Sequence, residues 1–165
     1  MFIPGYHGTT LEAAESIISS NEFRISKKDI EWLGDGIYFY CEIDDAIKWN
    51  NAQAVIHTII SVESDNFLDL DSDEGKKIFK KVKEHLVEQY SLKISETKNK
   101  QKNQCAILRT IWNTNKNISV IAGSFREEKD ILPTLTDEGR KRREFCVKNN
   151  SFVKYMHCIK KERLE

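Results

Sequence analysis

A glycine turn followed by an aromatic strand is the first stretch of this sequence that could bind a ligand. Residues 33–40 read LGDGIYFY, with Gly34 and Gly36 on either side of Asp35. Glycine reaches backbone angles that other residues avoid, so the spacing predicts a tight turn, and the β-branched and aromatic residues after it predict a strand. The glycines would let backbone approach a flat ligand, and Tyr38 could offer it a ring. The alternative is a turn that only begins a core strand.

Two polar side chains far from this stretch could contribute acid–base or electrostatic chemistry. His7 lies in the motif YHGT at residues 6–9, and Glu144 follows a run of basic residues near the end of the chain. Taken singly, His7 is more simply explained as a surface or capping histidine than as a site residue. Glu144 is likewise more simply explained as a member of an exposed ion pair. Tyr38 and Trp49 alone are equally explained as core aromatics. Only their combination favours a site.

The composition is that of a globular protein. The 165 residues are 39% hydrophobic and 32% charged with a net charge of zero, which predicts one domain over residues 1–165 and no overall attraction to nucleic acid or membrane. The four cysteines are far apart, which predicts reduced thiols in a cytoplasmic protein. No segment is apolar enough to span a membrane, and the start lacks the pattern of a signal peptide. The histidines at 57, 85 and 157 lack metal-ligand spacing, so no metal site is expected.

Hydrophobic periodicity predicts an α+β fold. Helices are expected over residues 11–20 (capped by Thr10), 44–53, 72–90 and 105–112. Strands are expected at the start of the chain and over residues 37–40, 54–62, 118–125, 145–148 and 155–160. Residues 98–103 and 126–143 are polar, and both are predicted to be loops. Because helices come mainly early and strands pair late, the pattern favours a largely antiparallel or split sheet.

Three motifs, in this order, resemble those of the ADP-ribosyltransferase superfamily, in its diphtheria-toxin and poly(ADP-ribose)-polymerase-like branch. The motifs are YHGT at residues 6–9, GDGIYF at residues 34–39 and REFCV at residues 143–147. That branch places a His, a Tyr and a Glu on separate strands around NAD, and the matching residues here are His7, Tyr38 and Glu144. The resemblance implies an ADP-ribosyltransferase-like fold, in which a split antiparallel β-sheet core has flanking helices.

Two further matches extend the resemblance. Trp49 follows Tyr38 by eleven residues, where the branch places a second ring over nicotinamide, although that ring is often a tyrosine. The stretch FRIS at residues 23–26 resembles the LRIA stretch of the polymerases. The arginine of LRIA lies near the adenosine half of NAD, and the resemblance implies the same position for Arg24.

The bond between nicotinamide and ribose breaks with oxocarbenium character, so a catalyst must clamp the ring, hold the ribose and place negative charge beside the developing cation. The resemblance implies that the backbone of Gly8 clamps the carboxamide, that His7 holds a ribose hydroxyl, and that Glu144 stabilises the cation. The catalytic residues it implies are His7, Tyr38 and Glu144, and the NAD-binding residues are His7, Gly8, Thr9, Arg24, Tyr38 and Trp49.

The acceptor is expected to be a macromolecule. Arginine-modifying members of the family often carry Glu or Gln two residues before the catalytic Glu, where this chain has Arg142. Arg140, Lys141, Arg142 and Arg143 are consecutive positive charges, and residues 98–102 form a second basic run. Such clusters bind phosphates, which slightly favours nucleic acid over protein as the acceptor. The alternative is a solvated basic loop.

The expected activity is that of a mono-ADP-ribosyltransferase, since the chain has no room for the helical domain of the polymerases. Small bacterial members of this family often act as intracellular toxins in toxin–antitoxin or phage-defence systems, so an antitoxin protein is a further expected partner. Three alternatives stay open. They are an NAD glycohydrolase, a transferase that modifies protein, and a non-catalytic module that binds ADP-ribose or RNA.

Overall fold

The computed structural model describes residues 1–90, 100–126 and 141–163, which form a seven-stranded mixed sheet with helices on both faces. The helices are α1 (Leu11–Ser20), α2 (Ile43–Lys48), α3 (Asp73–Tyr90) and α4 (Lys100–Thr114). The strands are β1 (Phe2–Thr9), β2 (Ile37–Tyr40), β3 (Ala54–Ser61), β4 (Phe67–Asp69), β5 (Val120–Arg126), β6 (Lys141–Val147) and β7 (Val153–Lys160). The predicted α+β class is confirmed. No helix in the described ranges is long and apolar enough to cross a membrane.

The sheet is almost divided between β1 and β2. The strand order is β4-β5-β6-β2-β1-β3-β7, and all neighbours are antiparallel except β4 and β5. β1 pairs with β3 along its whole length, from Phe2–Ser61 to Thr9–Ala54. By contrast, β1 and β2 share a single registered pair, Tyr6–Tyr40. The sheet therefore consists of two well-paired halves with a gap beside that pair.

Strand alternation gives the sheet two distinct faces. We call the face that carries Tyr38, Tyr40 and Glu144 the front, and the face that carries Phe39 and Phe145 the back. Helices α3 and α4 cover the front of the first half, where Leu86, Leu108, Ile111 and Trp112 pack with Leu33, Ile121 and Cys146. On the back, α1 places Ala14 and Ile17 in a second core with Phe23, Phe39, Ile56 and Phe145.

Helix α1 follows the prediction from sequence. It begins after Thr10, whose Oγ1 accepts a hydrogen bond from the Ala13 amide at 3.2 Å, and it ends at Asn21 in the left-handed conformation. α2 is shorter than predicted, because the helix ends at Lys48 and gives way to one 3₁₀ turn over Trp49–Asn51.

Two segments predicted to be loops are partly regular structure. β5 continues to Arg126 and β6 begins at Lys141, so the loop predicted over residues 126–143 is wrong at both ends, while residues 127–140 lie outside the described part. Pairing of β6 with β5, which sets Arg142 opposite Phe125, stabilises an extended strand despite the polar sequence. Residues 100–103 belong to α4, because Lys and Gln are good helix formers that extend its amphipathic pattern, and residues 98–99 are not described.

The turn that enters β2 is fixed by α4 and by a close backbone approach. Arg109 donates to Asp35 at 2.9 Å, and Trp112 Nε1 donates to the Leu33 carbonyl at 3.1 Å. A Cβ placed on Gly36 would overlap Cys146 Sγ and lie 2.7 Å from the Val147 carbonyl oxygen. Glycine at this position is therefore required for β2 to pair with β6.

We predict that Gly36→Ala lowers the free energy of unfolding by about 2–3 kcal/mol, because the methyl group must displace backbone of β6. The matched control is Gly123→Ala, in the neighbouring strand β5. There the added carbon meets only ends of Leu33 and Leu70 side chains, at 3.3 Å and beyond, so the loss should be under about 1 kcal/mol. Urea unfolding of the three proteins measures both values, and equal losses would contradict the close-approach explanation.

Candidate active site

Glu144 lies on β6 near the centre of the sheet, opposite Tyr40 of β2 and on the front face. Burial raises the pKa of Glu144 to about 7, and the nearby carboxylates of Glu31 and Asp45 act in the same direction, while the Arg142 guanidinium opposes them. A carboxyl group whose pKa lies near neutrality, in a half-buried setting with a specific charged neighbour, is a common mark of a functional site.

Four side chains form what we call the Glu144 cluster: Tyr40, Asp45, Arg142 and Glu144. The Arg142 guanidinium carbon lies 5.4 Å from the centroid of the Tyr40 ring, in a cation–π contact. Burial raises the pKa of Tyr40 to about 12, and Glu144 adds to this rise while Arg142 opposes it. Asp45 comes from α2 and is only 2% exposed. The cluster therefore holds one arginine among acidic groups in a partly desolvated space.

Tyr38 shares the front face with Glu144 but uses its hydroxyl for structure. The hydroxyl donates to the Gly34 carbonyl at 2.6 Å and accepts from the Leu33 amide at 2.9 Å. Burial raises the pKa of Tyr38 far above its ordinary value. Because both hydrogen bonds tie the phenol to the turn before β2, Tyr38 can present a fixed ring but is not placed to transfer a proton.

His7 lies at the gap between β1 and β2, and its ring faces the back of the sheet. Nδ1 donates to the Tyr38 carbonyl oxygen at 2.8 Å, and the ring makes edge contacts with Phe23 at 5.2 Å and Phe39 at 6.0 Å. Burial lowers the pKa of His7, although the bond to Tyr38 acts against that shift. The neutral imidazole thus carries its proton on Nδ1 and leaves Nε2 as an acceptor. The structure brings Tyr38 and Glu144 to one face and the His7 ring to the other.

The YHGT motif continues into a close contact between β1 and α2. A Cβ on Gly8 would overlap the Ala46 carbonyl oxygen, so the glycine lets α2 pack directly on the front of β1. Thr9 is buried, and its carbonyl accepts from the Gln53 amide at 2.9 Å. Trp49 follows α2 in a turn that contacts β1, and it is 43% exposed. An accessible indole ring therefore stands near this end of β1.

Of the four basic residues predicted to bind the acceptor, Arg142 and Arg143 lie on opposite faces of the sheet. Arg142 faces the front with Glu144, whereas Arg143 faces the back, because consecutive residues of a strand alternate. Arg143 donates to Asp69 at 2.9 Å and to Asp71 at 2.5 Å, so two carboxylates compensate its charge. Lys141 begins β6, and Arg140 lies outside the described residues. Arg142 and Arg143 therefore face opposite sides of the sheet and do not contact the same phosphate, while the role of each in binding an acceptor stays a prediction.

Arg24 is exposed, one residue after the buried Phe23, in a segment without regular secondary structure that leads to a bridge between Ser26 and Gly36. Within the described ranges, no hydrogen bond, ion pair or ring contact joins Arg24 to the Glu144 cluster.

Several residues of the front face were not singled out from the sequence. Tyr40 could have been found from strand alternation, since it lies two residues after Tyr38. Asp45 and the Trp32–Phe125 pair carry no such signal, because tertiary packing alone places them here. The Trp32 and Phe125 rings lie 5.2 Å apart, Phe125 is opposite Arg142 in the β5–β6 register, and Trp32 is 40% exposed. This pair adds accessible aromatic surface beside the cluster.

The arrangement suits electrostatic chemistry on a cationic group. Within the described ranges, no three His, Cys, Asp or Glu side chains are grouped to hold a metal ion. The donor set fits NAD in part: Glu144 can provide negative charge, and the rings of Tyr38 and Trp49 can contact a flat cation. The back-facing ring of His7 does not fit a direct role on the front face.

Comparisons with known proteins do not identify a family for this chain. No protein-family model matches it. It is 39% identical over 85 residues to the uncharacterized protein MJ0359 of Methanocaldococcus jannaschii, a match that covers 45% of this chain and only 40% of that relative. Among solved structures, it resembles one described as an anti-CRISPR protein, with a TM-score of 0.45, 12% identity and 96% of each chain covered.

We predict that Glu144→Gln stabilises the fold at alkaline pH and not at acidic pH. The pKa of Glu144 rises on folding from about 4.5 to about 7, so its stabilising, protonated form is fully present below pH 4.5 and is lost as the pH rises through 7. The shift corresponds to roughly 3 kcal/mol, or about 2 kcal/mol after solvent screening. Urea unfolding at pH 4.5 and pH 8.5 measures the difference. The control, Glu88→Gln on the exposed side of α3, should show no such dependence.

Proposed function

We propose that this protein is a mono-ADP-ribosyltransferase that cleaves NAD and transfers ADP-ribose to a macromolecular acceptor. The observation that carries the proposal is the Glu144 carboxyl group, half-buried on a central strand beside the β1–β2 gap, with its pKa raised to about 7. A carboxylate in this setting stabilises a developing positive charge more strongly than the same group does in water, because its surroundings are partly desolvated.

The chemistry requires a negative group close to the ribose carbon as its bond to nicotinamide breaks. Glu144 supplies this charge when ionised, and Arg142 beside it favours the ionised form. Arg142 also holds the Tyr40 ring in a cation–π contact, which orders the floor of the site. The carboxylate is thus positioned before the substrate arrives, so little reorganisation is needed during the reaction.

The topology supports an ADP-ribosyltransferase-like fold. His7, Tyr38 and Glu144 lie on three neighbouring strands, β1, β2 and β6, as expected for the His-Tyr-Glu branch. The β1–β2 ladder is reduced to the Tyr6–Tyr40 pair, which is in line with a split sheet. Tyr38, fixed by its two hydrogen bonds to the turn, and the exposed Trp49 are the rings that would enclose nicotinamide.

In this proposal His7 acts as a positioning residue. Its Nδ1–H bond to the Tyr38 carbonyl joins β1 to β2 where the ladder stops, so it fixes the width of the gap. The resemblance to the family implies a second contact, in which Nε2 accepts a hydrogen bond from a ribose hydroxyl, and because the ring faces the back, this contact requires the ribose to reach His7 through the gap beside the Tyr6–Tyr40 pair. Gly8 and Thr9 follow on the same strand, and Arg24 would contact the adenosine half only from its exposed position.

The expected biological setting is that of an intracellular toxin in the cytoplasm, neutralised by an antitoxin protein. This part of the proposal depends on the resemblance of the three motifs to small bacterial members of the family. The run of basic residues at 140–143 slightly favours nucleic acid as the acceptor, although Arg142 and Arg143 face opposite sides of the sheet and would contact it separately.

The proposal is tested by incubating the protein with adenylate-labelled NAD and a cell lysate. We expect label on a macromolecule, and Glu144→Gln should reduce the rate by about 100-fold or more, since the charge is lost while the shape is kept. Digestion with nuclease and with protease then shows which class of acceptor carries the label. Glu88→Gln is the matched control and should keep full activity.

The pH dependence of the same reaction tests the catalytic role proposed for Glu144. Because the ionised form of Glu144 is required and its pKa is about 7, the rate should fall about tenfold for each pH unit below 7 and level off above 8. NAD cleavage without macromolecular label would identify a glycohydrolase instead. Unchanged NAD cleavage by Glu144→Gln would overturn the catalytic assignment.

The two roles of His7 can be separated with Asn and Ala variants. An asparagine amide can place an N–H near the position of Nδ1, but it offers no group at the position of Nε2. We predict that His7→Asn keeps the thermal stability of the wild type better than His7→Ala does, while both lose NAD cleavage. Full activity of His7→Asn would mean that only the bond to the Tyr38 carbonyl matters.

A further inference from the structure

The described helices pack away from the front of β1, β3 and β7, except at one end of these strands. α3 and α4 lie on the front of the other half of the sheet, α1 lies on the back, and α2 reaches the front of β1 at Gly8. Tyr6 lies opposite Tyr40, and cross-strand partners point to the same face, so register assigns the other front residues. We call the exposed and half-exposed ones the uncovered face: Phe2, Pro4, Tyr6, His57, Ile59, Tyr155 and His157.

The uncovered face is apolar and aromatic. Phe2 is 77% exposed and Tyr155 is 50% exposed, and the rings of Tyr6 and His57 are stacked with their centroids 5.0 Å apart. An antiparallel sheet that faces water on one side normally places polar residues outward in alternation with an apolar core. Here Phe2, Tyr6 and Ile59 are outward, so both sides of β1 and β3 carry apolar residues. This pattern indicates that the face packs against another surface.

The three strands place no formal charge on the uncovered face. β1 and β3 contain no Asp, Glu, Lys or Arg, and Lys154 and Lys160 of β7 alternate with Tyr155 and His157, so both lysines lie on the back with α1. Nucleic acid or a highly charged protein would find no complementary charge here. Homodimer interfaces are more apolar than those of transient complexes, and the centres of interfaces are depleted of charged residues and enriched in aromatic ones.

We propose that the uncovered face packs against the same face of a second copy of this chain. The net charge is zero, so no overall repulsion opposes the approach of two copies, and two uncharged faces meet without burying an unpaired charge. A two-fold axis along β3 would bring Tyr155 of each copy onto β1 of the other, which makes the contact self-complementary. The inference does not rest on the proposed function, because none of these side chains belongs to the Glu144 cluster.

The size of the uncovered face limits the affinity. An aromatic side chain has about 150–250 Å² of surface, so the exposed parts of Phe2 and Tyr155 alone present roughly 250 Å². With the remaining residues, the face reaches the few hundred Å² at which an exposed apolar patch marks an interaction site. This is the small end of the range for specific interfaces, so we expect a dimer with a Kd of about 10–100 μM.

The test is sedimentation velocity on the full chain at concentrations from about 1 to 300 μM, which gives the dimer Kd. We expect Phe2→Lys and Tyr155→Lys each to raise Kd at least tenfold, because each variant would bury an unpaired charge in the interface. Both side chains are at least half exposed in the single chain, so both variants should fold. Ile18→Lys is the matched control, since it adds the same charge at a 41% exposed apolar residue of α1, on the back, and it should dimerise like wild type.

Three results would overturn the proposal. Wild type that stays monomeric up to about 300 μM has no such dimer. A dimer that persists unchanged in both Phe2→Lys and Tyr155→Lys uses a different surface. A dimer that Ile18→Lys weakens as much as they do responds to net charge rather than to this face. Circular dichroism confirms that each variant is folded. NAD cleavage is measured separately, and its absence would contradict the proposed function without changing the result for the dimer.

Discussion

The interruption of the ladder between β1 and β2 is the constraint on which the rest of the structure depends. Within a sheet, backbone groups that lose their strand partner must find another one, because an unpaired buried polar group is costly. The Tyr38 carbonyl finds its partner in the His7 imidazole, at 2.8 Å. One side chain therefore replaces backbone pairing and holds the two halves of the sheet at a fixed separation. Tyr6 and Tyr40 keep the halves in register beside it.

The pKa of Glu144, close to this gap, is raised by its surroundings. Burial disfavours the charge of the carboxylate, Glu31 and Asp45 add to this effect, and Arg142 opposes it only in part, so the pKa is raised to about 7. A site that holds a carboxylate in this state loses folding stability at the pH where the carboxylate is ionised. Hydrogen bonds from Arg109 and Trp112 of α4 to the turn before β2 offset that loss of stability. The stabilising hydrogen bonds are thus at the turn before β2, whereas the destabilising carboxylate of Glu144 lies beside the gap.

Helices and strands could be predicted from the sequence where interactions between residues close in sequence determine them. Thr10 caps α1 at the expected residue, and the alternation in residues 54–62 gives β3 nearly as expected. Prediction failed where tertiary pairing decides the outcome. Residues 141–143 look like a basic loop but are extended because β5 pairs with them, and α2 ends early at Lys48. The residues of the candidate site divide in the same way. The strand residues near Glu144 could be predicted from the sequence motifs, whereas Asp45 and Trp32 lie near it only because of tertiary packing.

Strand geometry also decides which side chains share one face of the sheet. Consecutive basic residues on a strand cannot act together, because alternation turns Arg142 and Arg143 to opposite faces and Asp69 and Asp71 then pair with Arg143. Residues that are distant in sequence but opposite in register are brought together. Tyr6, His57 and His157 are separated by long intervals, yet pairing of β1, β3 and β7 aligns them on the face that carries Glu144. A surface of this kind is invisible to a search for motifs, since its pattern exists only across strands and never along one.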